Sequence, residues 1–239
     1  MEEKKYELTD KTIEVNGRTI YRIKSLKNFN NVKKGDLGGF IEKEDNLSHE
    51  GNCWIYDNAY VYDNAYVYDN AYVCDNVHIC GNAYVCGNAS VYDKAHVYGN
   101  AHVSGNVYVY DKAHVCGNAN VYDNARVHGY ARVGDKAHVF GNAYIFGHAV
   151  ITDKMHLSDN AYVKSLDDIC YISSFGSENR STTFFRCKDN TIKVSCGCFM
   201  GTLDEFREKV KETHGDNQYA KEYLAIADVI ELRLNRHHN

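Results

Sequence analysis

From Gly51 to Lys164, apolar and polar positions recur with a six-residue period, nineteen units long and free of insertions. Each unit begins with Gly or Asp, usually followed by Asn or Lys, then Ala, any residue, Val and any residue. Asp57-Asn58-Ala59-Tyr60-Val61-Tyr62 and Gly99-Asn100-Ala101-His102-Val103-Ser104 are examples. Alternation with a period of two marks a strand, here of about four residues, with one apolar face. The Gly/Asp-Asn pair turns the chain, because Asp and Asn bond nearby backbone and tolerate left-handed dihedrals, while Gly adopts them freely. Strands this short cannot bury Ala and Val alone, so the units must stack as a solenoid.

The period fails on both sides of this region. Residues 1–50 predict an N-terminal β-hairpin cap, with Thr12-Ile13-Glu14-Val15 and Arg18-Thr19-Ile20-Tyr21 joined by Asn16-Gly17. Such a cap covers an otherwise open coil end. Leu37-Gly38-Gly39-Phe40-Ile41 leads into the first coil. Residues 165–239 predict a compact α+β domain of three strands (170–174, 182–187 and 191–196) and two helices. Thr202-Leu203-Asp204-Glu205 is a capping box for the first helix, and Gly215 stops it. Asp216 or Asn217 caps the second, whose apolar face is Tyr219, Tyr223, Ile226 and Ile230.

The hexapeptide pattern resembles that of left-handed parallel β-helices, in which three units make one triangular coil of eighteen residues. That resemblance implies a mainly β fold with a little over six coils between residues 51 and 164. It also supplies the handedness, which runs against the usual crossover preference. Together with Gly35-Asp36-Leu37-Gly38-Gly39-Phe40-Ile41-Glu42 and Val194-Ser195-Cys196-Gly197-Cys198-Phe199, the repeats are similar to the hexapeptide-repeat proteins of phages, prophages and gut bacteria. A phage setting implies a host protein partner, with interference in host defence as the specific expectation.

Composition narrows the function further. The 239 residues contain no apolar run long enough to span a membrane and no secretory leader at Met1, so a cytoplasmic protein is expected. Basic and acidic residues number 10 and 10 in 1–50, 7 and 10 in 51–164, and 10 and 12 in 165–239. No segment is a basic nucleic-acid footprint. On the triangular coil, Cys74, Cys80 and Cys86 fall on three different faces, and Cys80 lies two coils from Cys116. The thiols are therefore expected free, as in a reducing compartment.

Many left-handed β-helices are acyltransferases that bind a donor between prisms of a trimer, with an inserted loop and a histidine. Here the loop is missing, and eight of the twelve histidines lie on the uninterrupted coils. An acyltransferase using an intersubunit groove stays as an alternative, with no catalytic residue assigned. His78, His96 and His114 stack in one outward column and are the candidate metal ligands, as in the γ-class carbonic anhydrases that share this prism. Tetrahedral zinc needs convergent ligands, however, which favours a polar ladder. Asp57, Asp75, Asp93 and Asp111 likewise stack at one corner, where turn chemistry outweighs a calcium ladder. No cofactor is expected.

Aromatic residues are more telling. Fifteen of twenty tyrosines lie in the repeats, and one face carries Trp54, Tyr56, Tyr72, Tyr92, Tyr108, Tyr110, Tyr144 and Phe146 at outward positions. Such a face either stacks on itself or meets another protein, and self-association is expected, as a homotrimer by the resemblance to left-handed β-helices. In the tail, Ser177, Arg180, Thr182, Thr183 and Arg186 form a candidate anion-binding loop for a small anionic or nucleotide ligand. Cys196-Gly197-Cys198 is too tightly spaced for a zinc knuckle, and a Cys nucleophile paired with His214 has no further support. The sequence thus predicts a non-catalytic binding or scaffold protein that presents a rigid β-helix surface.

Overall fold

The computed structural model describes residues 4–235. Its centre is a parallel β-solenoid in which each coil supplies three two-residue strands, such as Tyr60–Val61, Tyr66–Val67 and Tyr72–Val73. The strands are shorter than the expected four residues because Ala already belongs to the corner. The Ala65 amide, for example, turns back to Tyr62 O at 3.3 Å. Coils pair in parallel register at eighteen-residue spacing, as in Tyr60↔His78 and His78↔His96. Ala and Val point inward in every coil and are fully buried, forming one continuous core. Burying a Val side chain is worth roughly 1.5–3 kcal/mol, so the repeated column supplies most of the cohesion.

Three sheets result. The first carries Tyr60, His78, His96, His114, Arg132 and Val150 outward; the second Tyr66, Tyr84, His102, Asn120, His138 and His156. The third begins at Trp54–Ile55 and carries Tyr72, Ser90, Tyr108, Arg126, Tyr144 and Tyr162. The corners between them are held by side-chain ladders. Asp75 Oδ2 accepts the Asp93 amide and Asp93 Oδ2 accepts the Asp111 amide, each at 3.1 Å. At a second corner the Asn64, Asn82 and Asn100 side-chain amides donate to Oδ1 of Asn82, Asn100 and Asn118 at 3.2, 2.8 and 2.9 Å.

At the N-terminal end, β1 (Tyr6–Val15) and β2 (Arg18–Ser25) form the Asn16-Gly17 hairpin, and β3 (Leu37–Ile41) pairs antiparallel with β2. The hairpin thus continues the first sheet, since β3 is itself parallel to Tyr60–Val61. Leu47 bridges to Val67 and Trp54–Ile55 opens the third sheet, so the irregular residues 37–55 add a coil and bring the solenoid to about seven turns. Tyr6, Ile23 and Val32 join the core there. The buried Lys5 ammonium donates to Glu50 O at 3.1 Å and Cys53 O at 3.0 Å.

The tail sheet has four antiparallel strands rather than three: Ile169–Phe175, Arg180–Arg186, Ile192–Cys196 and Phe199–Thr202. The fourth follows a turn at Gly197 (φ 60°) that strand patterning did not reveal. One side of this sheet closes the solenoid, with Ile169, Phe185 and Cys187 in its core. The other side, through Phe184 and Val194, packs on α1 (Leu203–His214) and α2 (Gln218–Leu234). The Thr202/Glu205 capping box, the Gly215 stop and the Asn217 cap all form. The buried stripe of α2 is Ala220, Tyr223, Ala227, Ile230 and Leu234; Tyr219 is exposed. Arg207 ties the helices together by reaching Asp228 at 2.9 Å and Glu231 at 2.6 Å. Among the described residues no helix is long and apolar enough to cross a membrane.

Candidate functional site

The third face presents two outward columns. Tyr72, Tyr108 and Tyr162 stand at strand-first positions and are 42%, 40% and 36% exposed. Beside them the half-buried rings of Tyr92, Tyr110, His128 and Phe146 stack coil over coil, with centroids 5.0, 4.5 and 5.5 Å apart and planes within 10° of parallel. Tyr144 and Phe146 both lie against Tyr162, at 5.5 and 4.8 Å, and Tyr56 lies on Tyr72 at 4.7 Å. The Arg126 guanidinium covers the Tyr108 ring at 5.3 Å. Burial and its hydrogen bond with Tyr144 raise the Tyr110 phenol well above its ordinary pKa.

Trp54 departs from the expectation for this face. It is 1% exposed, covered edge-on by Phe29 at 5.4 Å and Tyr6 at 6.2 Å. The N-terminal segment lies over the first coil of the column, so the accessible aromatic face starts at Tyr72. Tyr162 and Arg126 belong to it but were not singled out from the sequence. Tyr162 falls in the last unit of the repeat, and the cation–π partner has no aromatic signature.

The histidine column is in register as expected. His78 and His96 are 4.7 Å apart, and His96 and His114 are 4.9 Å apart with planes 3° from parallel. His78 is tilted 47° from His96, and among the described residues no three potential ligand atoms of this column lie within 4.8 Å of one another, whereas zinc needs ligands converging on one point. Burial lowers the pKa of all three, with a neighbouring His adding to it at His78 and His114. Among the described residues, the one set of three potential ligand atoms within 4.8 Å is Asp57, Cys74 and Asp75. There the thiol donates to Asp75 Oδ2 at 2.9 Å and burial pushes Cys74 up to about 12, which disfavours the thiolate a metal requires. The Asp column is occupied by the amides of the next coil. All nine cysteines are free.

The tail candidates do not form one site. Thr182 and Arg186 point to the helix side of their strand and are buried, with Arg186 Nε 3.6 Å from Asp168. Thr183 points to the solenoid side and accepts the His156 amide at 3.2 Å. Strand alternation separates them, which a loop reading of residues 176–183 overlooked. Gly176 admits the Tyr223 ring, whose hydroxyl would lie 2.0 Å from an added Cβ. Ser177 lines a groove of about 380 Å³ with Cys196, His214 and Lys209 along α1. Arg180 borders that groove too, and together with Thr183 it lines a second cleft with Lys154, His156, Ser181 and Ser195, between the last coil and the tail sheet.

No protein-family model matches the chain. The chain is similar to the uncharacterized acetyltransferase YdcK of Escherichia coli (strain K12), at 47% identity over 38 residues. That stretch is 16% of this chain and 12% of the relative's length. So short a stretch does not carry an activity from one chain to the other.

Proposed function

We propose that this protein is a non-catalytic binding or scaffold protein. Three prisms associate through the third face, and the remaining faces and two ends are displayed to a macromolecular partner, a host protein. The observation that carries this reading is the exposed row of Tyr72, Tyr108 and Tyr162 over a rigid stack of half-buried rings. Tyrosine offers wide contact area, few rotatable bonds and a polar tip, the combination enriched where proteins meet. Ring stacking along the coils fixes the side chains before contact, so little rotamer entropy is lost on association.

A second reading, acyl transfer, is favoured by the similarity to a relative named an acetyltransferase. It requires a histidine beside a donor held in a groove between subunits. Thermal-shift measurement with acetyl-CoA separates the two. A donor at 100 times its dissociation constant stabilises by about 2.7 kcal/mol. The scaffold reading predicts no shift at millimolar acetyl-CoA, and a saturable rise in Tm would reverse the preference.

A further inference from the structure

We infer that the cleft between the last coil and the tail sheet is an oxyanion site that binds the phosphoryl group of a small phosphorylated molecule. The cleft encloses about 320 Å³ and is lined by Lys154, His156, Arg180, Ser181, Thr183 and Ser195, with Asn179 and Gly197 completing it. No carboxylate is among these lining residues. Two cations and three hydroxyls around a concave wall are the donors that a phosphoryl group demands. Its size suits a phosphate with a small body attached.

The floor is preorganised by the tail sheet. Thr183 and Ser195 are directly opposite each other on neighbouring strands, so their hydroxyls emerge on the same side. Thr183 Oγ1 already accepts the His156 amide, which leaves its own proton to donate outward. Ser195 lines the cleft, and its hydroxyl, bonded to no other residue among those described, reaches solvent there and can donate to a ligand.

The rim is equally specific. Gly197 has φ 60°, and a Cβ there would sit 2.6 Å from Arg180 Nη1. That glycine lets the guanidinium lie flat across the turn at the cleft edge. Among the described residues Arg180 pairs with Glu178 alone, at 3.4 Å and in an exposed setting that holds it weakly. Lys154 is exposed on the corner of the adjoining coil. The ring of His156 stacks on His138 at 4.7 Å, which holds it against the coil. The site lies off the third face and does not depend on self-association.

Isothermal titration of the full chain with inorganic phosphate, and separately with AMP, at constant ionic strength in chloride, tests the inference. Saturable binding of one equivalent per chain is expected for at least one probe. Binding by phosphate alone assigns a bare-phosphate site, and tighter binding of AMP assigns a nucleotide-sized one. Arg180→Gln and Lys154→Gln should each weaken binding about tenfold, the loss of one charged hydrogen bond. Ser195→Ala should weaken it several-fold with unchanged circular dichroism. Arg126→Gln on the third face should leave it intact. Absence of saturable binding by either probe, or equal weakening by Arg126→Gln, would overturn the site.

Discussion

Asp93 and Gly99 open consecutive units and both hold positive φ, 61° and 74°. They solve the corner differently. Asp93 spends its carboxylate on the Asp111 amide of the next coil. At Gly99 an added Cβ would stand 2.9 Å from Gly117 N and 3.0 Å from its carbonyl oxygen, a contact that only backbone movement relieves. Asp93→Ala should therefore cost about 1–2 kcal/mol, from one lost bond and the poorer left-handed preference of Ala. Gly99→Ala should cost more, because strain at positive φ adds to displacement of a coil. Urea unfolding of the two variants checks the order; a smaller loss for Gly99→Ala contradicts it. These corners were legible in the sequence, since Gly and Asp occupy the positions where the chain must turn left-handed. The burial of Trp54 was not, because the covering residues Tyr6 and Phe29 lie far upstream and outside the repeat.

Within the first sheet, the histidine column is an element with a pH dependence. The folded-state pKa values of His78, His96 and His114 are depressed, so the unfolded chain takes up protons first on acidification. Their contribution is complete above the ordinary value of about 6.5 and is lost as pH falls through and below it. The variant His78→Gln, His96→Gln, His114→Gln should flatten the decline of the urea midpoint between pH 7 and 5. An unchanged decline would show that the column is not its source. Register in this sheet was readable from the six-residue spacing together with the three-unit coil that the hexapeptide resemblance implies, which places every third unit on one face. The start of the added coil was hidden, because Ile41 and Leu47 meet their partners Val61 and Val67 without a hexapeptide spelling.

At the scale of the molecule, a single apolar column is closed by two dissimilar ends. The solenoid, the α+β tail and the capped helices followed from periodicity, turn residues and capping boxes. The junction cleft did not, since Lys154 and Ser195 come together only when the tail sheet docks on the last coil, through contacts such as Lys193 Nζ to Asp159 at 2.8 Å. Docking of two surfaces leaves no local pattern in either. The third face, by contrast, was visible as a tyrosine column, and the consequence we propose for it is an assembly. Light scattering coupled to size exclusion measures that directly. The wild-type chain should have three times its 27.2 kDa mass, and Tyr72→Ser, Tyr108→Ser, Tyr162→Ser together should reduce it to the single-chain mass with unchanged circular dichroism. A wild-type monomer, or a trimer indifferent to the three substitutions, would contradict assembly through this face.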